Sequence, residues 1–301
     1  MSDYLGELAA LGTSVLFAGS SVFNTNAGRQ VGSVVVNRMR LVFAVGWLLL
    51  AHLILRIPLP WQAGAERWFW LSASGIVGLA IGDAFLFQAF VWIGPRISMM
   101  LMALAPIISG ILAWLFLGEV LSVSQWAGLL LALLGVSWVI LDRRGEQTRV
   151  TANPQHYRAG ILFGLGGAVG QAVGVILAKR GLAGDFPALS GSLIRMIAAM
   201  IVIWMLTLFT RQIRYTFTQV ANHPRATWFI WFASLLGPFL GVTLSLYALQ
   251  NTAVAIASVL ASLSPIVLLP VSHFVYKEKF GWGAVIGTVM VMAGVALFFL
   301  T

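Results

Sequence analysis

The C-terminal part of this 301-residue chain repeats an earlier stretch at a constant offset of 159 (265 − 106), and both copies lie in long apolar sequence. Gly78 returns as Gly237, Gly82 as Gly241 and Ala89 as Ala248. Pro106-Ile107 returns as Pro265-Ile266, Glu119 as Glu278, Gly128 as Gly287 and Gly135-Val136 as Gly294-Val295. The match persists upstream with a small change of register: Arg40 and Ala44 align with Arg195 and Ala199 at an offset of 155 (195 − 40). A fixed repeat of this kind restricts the chain to folds made of two like units.

Composition sets the solvent of those units. Hydrophobic residues make up 60% of the chain and charged residues 9%, against roughly 25% charged in a soluble domain. So few charges cannot cover a water-facing surface. Apolar runs of bilayer length recur throughout, near 5–24, 31–55, 68–90, 95–117, 123–141, 158–178, 188–210, 226–249, 253–275 and 281–300. The expected fold is therefore an all-α integral membrane protein with ten transmembrane helices. Residues 1–24 lack a basic n-region and read as the first permanent span. Trp61, Trp68, Trp228 and Trp282 fall near span ends, where indole favours the headgroup layer.

The long polar connector 142–157 divides the spans into five and five, giving repeats over 1–141 and 158–301. Two like units of five spans, joined in series, face opposite ways across the membrane. Inverted five-helix repeats of this kind exchange outward-open and inward-open states, which is the layout of a transporter.

The net charge of +9 sits singly or in pairs at span ends, as at Lys179-Arg180. That placement fits anionic lipid and topology signals and argues against nucleic acid. There is no cysteine, so neither a disulfide framework nor a Cys metal site is expected. Signatures for zinc hydrolysis, nucleotide binding and serine catalysis are missing as well. No catalytic residue, cofactor, metal or ATP site is expected, which leaves a proton or other ion as the coupling partner of any active transport.

Polar residues inside spans are the candidates for function. Asp83 is the one acid well inside a span, where a carboxylate must face protein or water. It suits a substrate amine, a coupling proton or a brace between helices. Gln88, Trp92, Gln171, Tyr247 and His273 offer amide, indole, hydroxyl and imidazole groups that orient a solute without a full charge, and Asn24 adds an amide on the first span. Each also fits interhelical hydrogen bonding. Pro106 and Pro265, at matched mid-span positions, are expected kinks or hinges. Arg40, Arg195, Glu119 and Glu278 read as structural charges near span ends, the arginines reaching headgroups or bracing the two glutamates. Gly166, Gly170 and Gly174 recur every four residues and form a face for close helix packing.

The stretch 81–140 holds Pro106, then Leu117-Gly118-Glu119, then Gly128 and Gly135. This pattern resembles the drug/metabolite transporter superfamily, specifically its EamA-type ten-span members. The second copy departs at Tyr276-Lys277-Glu278 and keeps only the glutamate. Arg40 and Arg195 match the family's arginine early in the second span of each repeat. The resemblance implies a basket in which spans 1, 3, 4, 6, 8 and 9 surround a central cavity while spans 5 and 10 brace the outside. It also implies export of a small molecule such as an amino-acid-like or other amphipathic metabolite, some relatives being uptake systems or exchangers, at a prokaryotic inner membrane. Multidrug export and a non-transporting scaffold or sensor are the alternatives. The distribution of Lys and Arg places both termini outside, whereas the family resemblance places them inside.

Overall fold

The computed structural model describes residues 4–117, 122–141, 154–184, 186–252 and 282–299, with 257, 260, 261, 263, 264 and 266–268. Regular structure among the described residues is entirely helical. The first repeat opens with α1 (Leu5–Val31) and α2 (Ser33–Leu55), joined through the single residue Gly32 at φ 85°. Only glycine enters that region without a Cβ penalty.

Next comes α3 (Ala65–Ser74), which widens into a π-helical stretch, Gly75–Gly82, and continues as α4 (Asp83–Met102). Gly94 (φ 78°, ψ 167°) followed by Pro95 breaks α4 where the sequence separates its third and fourth spans. The remaining helices of this half are α5 (Ala105–Leu117) and α6 (Val123–Leu141).

The second half repeats the plan with α7 (Pro154–Gly181), α8 (Ala188–Phe209), α9 (Ile213–Asn222) and α10 (Pro224–Ser234). A second π-helical stretch, Leu235–Gly241, leads into α11 (Val242–Asn251), and the described chain ends in α12 (Trp282–Phe299). Helix α9 occupies a segment the hydropathy pattern leaves between spans. It is short and amphipathic, and Arg38 of α2 holds it by donating to Thr216 Oγ1 (2.8 Å) and Gln212 Oε1 (2.7 Å).

Among the described residues, six helical stretches are long and apolar enough to cross a membrane: Leu5–Val31, Ser33–Leu55, Ala65–Pro95, His156–Gly181, Ala188–Phe209 and Pro224–Asn251. Ile97–Leu112 and Val285–Gly294 are shorter apolar helices. Most of the expected span at 253–275 lies outside the described residues, as do Glu119, Pro265, His273 and Glu278. Leu50, Leu53, Leu206, Leu208 and Phe209 are exposed, as helices solvated by lipid require. Trp61, Trp228 and Trp282 are exposed too, near helix ends.

The two halves interlock by exchanging helices. The α3–α4 rod of the first half packs on α7, and the α10–α11 rod of the second packs on α1. Helix α2 pairs with its mate α8, and α6 with its mate α12. Glycines make the first crossing close: a Cβ on Gly170 would stand 2.7 Å from the Cα of Gly82, and one on Gly174 3.1 Å from the Cα of Gly78. The glycine face of α7 thus meets the π stretch backbone to backbone, the contact that drives association where lipid removes the hydrophobic gradient.

Candidate functional site

Both π stretches fall at the same place in the repeat, around Gly78/Gly82 and Gly237/Gly241. A π turn bonds i to i+5, widens the helix and disturbs its regular carbonyl pairing. In the first copy two side chains of α2 take up the exposed carbonyls. Arg40 Nη2 donates to Leu79 O (3.2 Å) and Asn37 Nδ2 to Ala80 O (3.3 Å). Asn37 Oδ1 in turn accepts from Arg40 Nε (3.1 Å). Asp83, the first residue after the π stretch, forms an ion pair with Arg40 Nη2. The guanidinium lies 4.6 Å from the Phe87 ring centroid. Two charges therefore enter the bundle interior as one neutral, hydrogen-bonded unit, which limits their desolvation penalty.

The second copy is built differently. Arg195 on α8 is 2% exposed, and its Nε and Nη2 have no hydrogen-bond partner among the described residues. Val242 stands where the first copy has Asp83. The Arg195 side chain instead reaches the first π stretch: a Cβ on Gly78 would lie 3.6 Å from its Nη2.

These two environments are adjoining cavities with walls in common, the two lobes of a central chamber. The first lobe, about 80 Å³, is lined by Arg40 and Asp83 together with Ser20, Asn24, Phe87 and Phe90. The second, about 90 Å³, is lined by Arg195 with Pro106, Ser109, Ser245, Ala257 and Ser264. Phe17, Met99, Met102, Gln171 and Val242 line both. Asn24 donates to Ser20 Oγ (3.1 Å), and its buried Oδ1 has no partner among the described residues. The walls are otherwise mainly apolar.

Pro106 shapes the second lobe. The chain leaves α4 at Met102, turns through Ala103 and Leu104 and re-enters a helix at Ala105. Pro106 thus sits in the first turn of α5, where its missing N–H displaces no helical hydrogen bond. The expected kink is a full interruption at the chamber wall.

Of the polar residues singled out from sequence as solute contacts, Asn24, Asp83 and Gln171 line the chamber, as do Arg40, Arg195 and Pro106. Gln88 accepts from Ser33 Oγ (2.6 Å) and joins α4 to α2. Trp92 stacks on His156 with centroids 5.3 Å apart and meets Phe163 edge-on. Tyr247 is 40% exposed and lines an outer cleft of about 880 Å³ together with Lys179, Gln250 and Asn251. That cleft is larger than the chamber, but it lies among helix ends, and its amides serve backbone: Gln250 donates to Phe186 O and Asn251 to Tyr247 O. Any brace from Arg40 or Arg195 to Glu119 or Glu278 falls outside the described residues.

The layout implied by the resemblance needs one amendment. The second helix of each half, α2 and α8, also lines the chamber, through Arg40 and Arg195. Both arginines are buried, at 3% and 2% exposure, rather than reaching headgroups. Helices α6 and α12 contribute no lining residue among those described. The serines at 20, 109, 245 and 264 carry no signal in a single sequence, since hydroxyls are common in membrane helices.

The chain is 28% identical over 159 residues to an uncharacterized transporter, YwfM, of Bacillus subtilis strain 168, a match that covers 50% of each protein. It thus spans about half the length of that curated relative. A protein of known crystal structure shares the fold at a TM-score of 0.64 with 15% identity, over 98% of this chain and 96% of the other. The EamA-like transporter family matches twice, over residues 4–141 and 158–300. With both halves matched and a multi-pass helical bundle around a central chamber, the chain belongs to the EamA-like transporter family of membrane proteins.

Proposed function

We propose that this protein is a secondary transporter that moves a small metabolite, amino-acid-like or otherwise amphipathic, by alternating access, in the export direction. The observation that carries this reading is the chamber between the repeats, enclosed by equivalent residues of both halves. Matched π stretches and the break before Pro106 meet its walls, and irregular backbone inside a membrane bundle belongs where it lines a cavity. Ten spans in two inverted units, 1–141 and 158–301 joined by 142–157, in a prokaryotic inner membrane complete the proposal.

Asp83 and Gln171 are the sequence candidates placed to meet the solute, with Asn24 Oδ1 as a further acceptor. A proton or another ion exchanged near the Arg40–Asp83 pair is the coupling step we favour. Phe17, Met99 and Met102 give the chamber adaptable apolar walls, which suits an amphipathic body. Its small volume and buried charges favour a metabolite over a bulky drug. Purified protein reconstituted into liposomes and screened against a metabolite panel under imposed ion gradients tests the reading. Movement of at least one small solute is expected; no movement of any solute under any gradient would overturn it.

A further inference from the structure

Resting on the transporter reading, we propose that Arg195 is the anion anchor of the chamber: a carboxylate or similar small oxyanion on the solute takes, opposite Arg195, the place that Asp83 takes opposite Arg40.

Three observations carry this assignment. Arg40 and Arg195 occupy equivalent positions of the repeat and line the two lobes of one chamber. Arg40 is neutralised by Asp83 and bonded to Asn37 and Leu79. Arg195 is more deeply buried than most leucines of the fold, yet two of its three guanidinium nitrogens have no partner among the described residues. A guanidinium so placed presents a fork that matches an oxyanion in two parallel hydrogen bonds.

The neighbours narrow the choice. Val242 shares the lobe and supplies no charge, and the Oδ2 of Asp83 is held by Arg40. Gln171 adds a neutral amide, the hydroxyls of Ser109, Ser245 and Ser264 already donate to Ala105 O, Val242 O and Ser14 O, and the remaining wall is mainly apolar. The chemistry that fits is one oxyanion on a compact apolar body. Asn24 Oδ1, without a partner among the described residues in the other lobe, would accept from an amine on the same solute. A lipid phosphate shares the anion chemistry, so the experiment must separate the two sources.

The test measures binding of short aliphatic and aromatic amino acids and 2-oxo acids, each beside its primary amide, to the full chain in phosphatidylcholine nanodiscs. The wild type is expected to bind at least one acid and to bind its amide about tenfold more weakly. V242D gives Arg195 the internal partner that Arg40 has, and is expected to weaken the acid about tenfold or more while V242N retains it. Equal binding of acids and amides by the wild type overturns the anchor without recourse to any variant. Equal acid binding by V242D and V242N, both folded, overturns it as well. Loss of acid binding when phosphatidylglycerol is added would assign Arg195 to a lipid headgroup and overturn the solute assignment. Flux in liposomes separates this from the parent reading. Charge-selective binding without flux sinks transport and keeps the anchor, whereas flux of solutes that carry no anion, unchanged in V242D, sinks the anchor and keeps transport.

Discussion

Arg40 grips Asp83 in the core of the bundle, 43 residues away in sequence, and the same contact is missing from the other half because Val242 replaces the acid. The repeat therefore makes a frame in duplicate and a chamber that is not symmetric. One lobe holds a closed ion pair and the other a guanidinium whose Nε and Nη2 have no partner among the described residues. Under the proposed alternating access, an asymmetric interior in a symmetric frame would let both halves move alike while residues that differ read the solute.

The ion pair should be worth more broken than removed. Deleting one partner of a buried pair leaves an uncompensated charge, so D83L is expected to lower stability by about 3–5 kcal/mol. The double variant R40M/D83L should recover most of that loss. Thermal unfolding in detergent of the two single variants and the double checks this, and additive losses in the double would refute it.

Helix crossing at the first π stretch should tolerate no side chain. A Cβ on Gly170 meets the Cα of Gly82 at 2.7 Å, so G170L is expected to destabilise by about 1–3 kcal/mol through overpacking. Gly12 meets nothing within 4 Å, and G12A should be neutral or slightly stabilising, by up to about 1 kcal/mol from helix propensity. Melting temperatures of the two variants, measured side by side, decide the matter.

Gln171 touches both lobes, whereas Trp92 lies outside the chamber against His156. Loss of one neutral hydrogen bond to a solute is worth about 1 kcal/mol. Q171L should therefore raise the KM for flux roughly fivefold, with a smaller effect on kcat. W92F should leave both unchanged. A KM effect in W92F equal to that in Q171L would remove the chamber from its assigned role.

The native chain contains no cysteine, so single thiols report cleanly on access. Asn24 and Ser245 belong to different lobes. Single variants N24C and S245C should react slowly with a membrane-impermeant thiol reagent, and a transported solute should change each rate several-fold. Rates indifferent to every transported solute would speak against alternating access through this chamber.

Much of the frame is legible in the sequence. The repeated glycines mark the α7 crossing, because close approach is a backbone constraint that residue identity imposes, and the gap between the expected spans 68–90 and 95–117 falls where Gly94 breaks α4. The chamber is less legible. A periodicity of 3.6 does not register one residue spliced into a helix, so the π stretches left no trace in the hydropathy pattern. Nor does it say which way a side chain near a span end will turn: Arg195 reads as a structural charge that reaches headgroups or braces a glutamate, and it is buried at 2% exposure. Helix α9 was hidden for another reason. Ten residues with exposed Tyr215 and Phe217 are too few to span and too mixed to stand out. The difference Asp83/Val242 beneath matched arginines was visible, and a tally of charges inside spans reveals the cation left over.

The wide turns also separate what the halves share from what they do not. Each π stretch amounts to one residue inserted in an α-helix, and a single residue turns the helix beyond it by about 100°. Such an insertion re-aims everything downstream and has to be accommodated by the neighbours at once. Around Gly78–Gly82 and Gly237–Gly241 both halves accommodate it at corresponding places. The carboxylate next to it stands in one copy and not the other, so the two lobes differ in charge on backbones bent alike.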